Sequence, residues 1–198
     1  MSTCKQHCIF NNNDSGFITW LVEKLGPVLM GSKPAELLSF LGSDKYLTNK
    51  LSQINNSLGR CIRIQHEIIE LKNGNIKILF YNQEKLNNVL TDKRNNKFLR
   101  QQGYPREYNF HEYMQMLISK IISGAIPHEI GIFLGYPLKD VIGFIGHPSL
   151  KLTKICGWRV YGYSKPSDKI YNDIQNSKKL IKSLLKFNKP DEILAMTV

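Results

Sequence analysis

The chain has 198 residues, 42% of them hydrophobic, and 27 Lys or Arg against 16 Asp or Glu, a formal net charge of +11. That length fits one domain, and the apolar fraction excludes a disordered chain. No run reaches the roughly 18 consecutive apolar residues of a membrane-crossing helix, and residues 1–8 lack a basic segment followed by an apolar one, so a cytoplasmic protein is expected.

Residues 1–15 are polar and turn-rich and read as a flexible lead, with Asp14 or Ser15 placed to cap the first helix. Phe17, Trp20, Leu21 and Leu25 then recur at helical spacing up to Gly26-Pro27, which reads as an interruption. Lys33-Pro34 reads as the start of a second helix through Phe40, stopped by Gly42. A third is expected over 44–58, with Tyr46, Leu47, Leu51, Ile54 and Leu58 on one side.

From Arg60 the apolar period changes from helical to alternating. Ile62, Ile64 and Ile68 alternate with polar residues, Asn73-Gly74 is a two-residue hairpin signal, and Ile76, Ile78 and Phe80 alternate again. His66 falls on the isoleucine face, where a hydrogen-bonded core histidine is the ordinary outcome. Residues 82–90 and 91–102 read as two helical pieces. The second sets Lys93, Lys97 and Arg100 on one face, either a solvated face or a seat for a phosphate or carboxylate. Asn109 is positioned to cap a helix over 111–123.

Residues 125–146 are the most apolar and most punctuated stretch. Pro127 and Gly135 bracket one helix, 128–134, and Pro137 and Gly146 bracket another, 138–145, each with proline at the start and glycine just past the end. Apolar residues surround both, so both are expected to be buried. Gly131 and Gly143 lie inside them although each costs about 1 kcal/mol relative to alanine, which calls for close approach of a backbone or a ligand. His128 and Glu129 lie at the first helix start. Either they satisfy its unpaired N–H groups and dipole, or they form the polar end of a pocket, as proton donor and acceptor or as part of a metal site.

A strand is expected over 154–163, antiparallel to the hairpin, with Cys156, Trp158 and Val160 on one face. A basic amphipathic helix comes next, over 167–187, and residues 190–198 read as a tail. The four cysteines, at 4, 8, 61 and 156, read as free thiols. Cys4, His7 and Cys8 lack a second pair at zinc-like spacing, so no metal site is expected.

Five stretches resemble the bacterial family numbered 3793 in the domain-of-unknown-function series. They are Pro127-His-Glu-Ile-Gly131, Leu134-Gly-Tyr-Pro137, the continuation 138–144 with Lys139 inserted, Trp158-Arg-Val-Tyr161, and Leu29-Met-Gly-Ser-Lys33. Met30 stands where the family has a smaller residue, and Gly26 where it has a cysteine. The resemblance names a family without naming an activity, and the cofactor, if any, stays open.

The expected architecture is therefore α+β: one mostly helical domain over 16–189, with a small antiparallel sheet (hairpin 60–81 plus strand 154–163) packed by helices. The expected function is small-ligand or metal binding, with or without catalysis, at a pocket near His128 and Glu129, with Tyr136, Asp140, Arg100 and Trp158 as further ligand contacts. The alternative is an interaction module that binds nucleic acid or a protein through basic helix faces. The surplus charge favours an anionic partner, but 14 basic and 8 acidic residues in 1–100 against 13 and 8 in 101–198 show no concentrated patch, and an AT-rich coding bias toward Lys, Asn and Ile would produce the same balance.

Overall fold

A computed structural model describes residues 14–59, 61–124 and 126–195. In chain order the elements are α1 (Asp14–Leu29), β1 (Ala35–Phe40), α2 (Leu47–Leu58), β2 (Gln65–Glu70), β3 (Ile76–Tyr81), α3 (Gln83–Thr91), α4 (Lys93–Gln101), α5 (Phe110–Ile122), α6 (Ile130–Phe133), α7 (Leu138–Ile145), β4 (Leu152–Cys156), β5 (Trp158–Tyr161), α8 (Lys165–Leu184) and α9 (Pro190–Ala195). The fold is mostly helical α+β with two small antiparallel sheets. No described helix is long and apolar enough to cross a membrane.

The larger sheet has the order β1-β3-β2, with β3 antiparallel to both neighbours. Its two faces carry two separate cores. Phe40, Ile76, Ile78 and Phe80 face one, with Leu21, Leu25 and Val28 of α1, Ile54 and Leu58 of α2, Ile181 of α8, and Ile193 and Leu194 of α9. Ala35, Ile69, Leu79 and Tyr81 face the other, built from α3 to α7 around Leu86, Leu99, Tyr113, Leu117 and Phe133. Successive strand side chains point to opposite faces, so a strand between two helical layers is apolar on both.

That geometry corrects the helix expected over 33–40. Leu37 packs on one core and Leu38 on the other, so the adjacent apolar residues belong to a doubly covered strand and not to a helical stripe. The sheet's third strand is thus β1. The expected strand 154–163 instead splits at Gly157 (φ +73°) into β4 and β5, a separate hairpin. Two hairpin faces also differ from expectation: Ile62 and Ile68 are exposed, and Ile69 is buried in their place.

Helix α1 runs on through Gly26 and Pro27. Gly26 is needed for packing: a Cβ there would lie 2.8 Å from Cγ1 of Ile181, so the glycine lets α8 approach. α2 begins three residues later than expected, at Leu47. Local signals place α3, α4 and α5 as expected. Asn82 accepts from the Lys85 N–H, Asp92 from those of Arg94 and Asn95, and Asn109 from that of Glu112. Residues 190–195, read as part of a tail, form α9, with Ile193 and Leu194 buried.

In the central stretch, α7 has the expected bounds, and Gly146 at φ +110° closes it. The helix expected over 128–134 is a single turn, α6, and α7 is not buried all round, because Phe144 and Ile145 are exposed. The interior glycines answer to side chains. A Cβ on Gly131 would lie 2.7 Å from Val141 Cγ2, and one on Gly143 would collide with the Tyr161 ring.

Candidate functional site

Of the residues singled out in the sequence, Tyr136, Asp140 and Trp158 come together. Asp140 lies in the first turn of α7 and is 2% exposed. Its Oδ1 accepts from Lys139 Nζ at 2.6 Å and from the Tyr161 N–H at 2.9 Å; its Oδ2 accepts from Trp158 Nε1 at 2.9 Å and Ser167 Oγ at 2.7 Å. Lys139 Nζ also donates to Tyr161 O at 2.9 Å and to Ser167 Oγ at 2.8 Å. The carboxylate's acceptor sites and the three ammonium protons are thereby engaged inside the protein, which makes this hub a clamp of α7 onto β5 and α8.

The hub continues as a stack. The Trp158 and Tyr136 rings lie 4.8 Å apart at 18°, and Lys33 Nζ sits 5.7 Å from the centre of Tyr136 while bonding Glu36 at 2.6 Å. Gly135 (φ +82°) leaves room for Pro34, whose Cδ would be 2.5 Å from a Cβ there. A buried ammonium with both a carboxylate and an aromatic face satisfies its charge locally.

His128 and Glu129 diverge. His128 is exposed and meets Phe144 edge-on at 5.1 Å. Glu129 is buried and bonds Lys120 Nζ at 2.5 Å; that ammonium also donates to Gln102 O and lies 4.6 Å over the Tyr104 ring. The Tyr104 hydroxyl is buried beside the Glu129 carboxylate; burial, then the Glu129 charge, push its pKa up. Arg100 is exposed on α4. Among the described residues no three His, Cys, Asp or Glu side chains gather to hold a metal ion. Cys4, His7 and Cys8 lie outside the described residues.

A cavity of about 610 Å³ opens elsewhere, between the segment leading into β2 and the first turns of α3, lined by Ile62, Arg63, Gln65, Asn82, Gln83, Glu84 and Asn87. No carboxylate lies within ion-pair distance of Arg63 among the described residues. Its Nη1 reaches Leu29 O at only 3.5 Å, and its buried Nη2 has no partner among the described residues. The two asparagines have their oxygens engaged already. Asn82 Oδ1 accepts from the Lys85 N–H at 3.0 Å, and Asn87 Oδ1 accepts from Tyr108 Oη at 2.7 Å. With one lone pair of each oxygen taken, the amide N–H groups are the larger part of what the two side chains offer the cavity.

The family model described as protein of unknown function, DUF3793, matches residues 21–194. The chain belongs to that family. No curated protein and no solved structure matches it.

The stretches that carry the family resemblance are joined in space. Residues 134–137 stack on 158 and pack against Pro34, residues 138–144 clamp onto 158–161, and residues 29–33 end at the Lys33–Glu36 pair. Lys139, the inserted residue, supplies the ammonium of the Asp140 hub. The 29–33 element also meets the segments that flank the cavity: Arg63 leans on Leu29 O, and the Lys85 side chain lies along Gly31 (φ +70°), its Cε 3.1 Å from where a Cβ would stand. Nothing in the sequence pattern marks Arg63, Asn82 or Asn87 for a site. Arg63 alternates with isoleucines like any solvent-facing strand residue, and Asn82 has the look of a helix cap. Only the fold puts them around one hollow.

Proposed function

We propose that this protein binds a small ligand carrying a carboxylate or phosphate in the cavity beside Arg63. The observation that carries this reading is the donor-rich lining: an arginine without a carboxylate partner among the described residues and two asparagines whose oxygens each already accept a hydrogen bond within the protein. A guanidinium fork without a carboxylate partner matches an oxyanion in geometry as well as charge. The first turn of α3, with its positive dipole end, lies at the same wall. Glu84, the one carboxylate of the lining, suits a ligand with a hydroxyl or ammonium beside its anion, such as a sugar phosphate or an amino acid. In this reading the protein is cytoplasmic; the free thiols of Cys61 and Cys156 fit a reducing compartment.

The test is thermal unfolding with phosphate, citrate, sugar phosphates and free amino acids in turn. A ligand present at a hundred times its Kd stabilises by about 2.7 kcal/mol. At least one of these should raise the Tm of the wild type, and Arg63→Gln should abolish the rise while His128→Ala leaves it intact. A rise that survives Arg63→Gln, or none with any of these anions, counts against the cavity.

A second reading rests on α4, where Lys93, Arg94, Lys97 and Arg100 are exposed and make no ion pair among the described residues. Nucleic acid bound there would be released by salt with a log–log slope of about −0.7 per phosphate neutralised on a single strand. Lys97→Glu should flatten that slope. Absence of binding to single-stranded DNA at low salt removes this reading.

A further inference from the structure

The hairpin of β4 and β5 leaves one strand without a body to pack on. β5 is held on both sides: Tyr161 covers Gly143 of α7, and Trp158 bonds Asp140 and meets Tyr171 of α8 edge-on. Among the described residues β4 pairs with β5 alone, and residues 152–155 are all exposed, with Leu152 at 50% and Ile155 at 69%. A two-stranded ribbon with an open, apolar edge is a template for strand addition. Beside it runs a continuous surface. Ile155 is the cross-strand partner of Arg159, whose guanidinium lies 5.6 Å from the centre of the Phe144 ring; Phe144 is itself 46% exposed.

Charge decides what could cover this edge. Lys154 is already paired with Asp168, but Arg159 and Lys151 are exposed and make no ion pair among the described residues. A second copy would bring another +11 chain and set like charges against each other across the joint, which is destabilising for directly opposed side chains. An extended segment with acidic and apolar residues two positions apart meets both features, because such residues share the face on which Ile155 and Arg159 lie opposite each other beside Phe144.

We propose that β4 is a docking edge for an extended acidic-apolar segment of a partner protein, which adds to the hairpin as a third strand. The test is selection of random displayed peptides on the full chain, with the full-length Ile155→Lys and Arg159→Glu variants as counter-targets. The wild type should enrich peptides with Asp or Glu two positions from Val, Ile or Phe. Ile155→Lys should lose them, and Arg159→Glu should shift the enriched charge toward Lys and Arg. Hydrogen exchange on the wild type with an enriched peptide should then slow amides within 152–156.

Four results would overturn the proposal: enrichment equal on the wild type and Ile155→Lys, a consensus without acidic residues, protection confined to other elements, or a homodimer in sedimentation velocity that Ile155→Lys dissociates. The last would assign the edge to a second copy.

Discussion

Asp140 carries the densest set of interactions at any one side chain of the site region. Four donors converge on its carboxylate, and one of them, Lys139, spends its protons within the same hub. Asp140→Ala leaves a half-buried ammonium, an indole N–H and a hydroxyl without their acceptor, and breaking such a pair costs about 3–5 kcal/mol. Urea denaturation should show a loss of that order, with a change in tryptophan emission from Trp158. A loss below about 1 kcal/mol, the range of an exposed ion pair, would mean that the hub is solvated. His66 supplies a pH-dependent counterpart. Its ring packs on Phe80, its Nε2 pairs with Asn55 Oδ1 at 3.0 Å, and burial lowers its pKa below the ordinary 6.5, with Glu67 opposing weakly. The unfolded chain therefore takes up this proton first as pH falls. Stability is fully present above about pH 6.5 and is lost as pH drops through the lower folded-state pKa. His66→Gln, which can keep the bond to Asn55, should flatten the stability profile between about pH 7 and pH 5.

At the scale of elements, legibility followed the range of the signal. Asn82, Asp92 and Asn109 act on N–H groups two or three residues away, and Pro137 and Gly146 bracket α7 by local backbone preference. Those boundaries could be read from the sequence. β1 could not, because Leu37 and Leu38 are apolar toward two different cores, and periodicity records how many faces are buried only after the sheet exists. Tyr136, Asp140 and Trp158, marked in the sequence, meet in a packing hub and not at the cavity, while Arg63 and Asn87 gain their meaning from a hollow between distant segments that no local signal announces. Gly26 shows the same limit and offers a measurement. Gly→Ala inside a helix gains about 1 kcal/mol of propensity, whereas forcing a methyl into packed atoms costs about 1–3 kcal/mol. With Ile181 Cγ1 2.8 Å from the new Cβ, the steric side should win and Gly26→Ala should destabilise. In an Ile181→Ala background, itself weaker by about 2–5 kcal/mol, the same substitution should turn neutral or stabilising. Equal effects in the two backgrounds would show that α1 and α8 do not meet at this point.

The molecule as a whole carries its surplus charge on the outside of two well-filled cores. The ion pairs of the described residues join single partners, as in Lys50–Asp44 and Lys33–Glu36, and those partners remove no net charge. With +11 formal charges on 198 residues, self-repulsion is the long-range electrostatic force that opposes compaction. The Debye length shrinks from about 30 Å at 0.01 M salt to about 8 Å at 0.15 M, so salt screens repulsion across the molecule far more than contacts at 2.6 Å. Raising NaCl between those limits should therefore move the urea midpoint upward. Sodium sulfate at equal ionic strength should move it further, because sulfate is excluded from apolar surface and is also an oxyanion that the Arg63 cavity could take. The two contributions separate by mutation: Arg63→Gln should leave the chloride effect intact and reduce only the extra gain from sulfate. A midpoint that falls with NaCl would mean that local pairs such as Lys33–Glu36, and not the net charge, dominate the electrostatics of this fold.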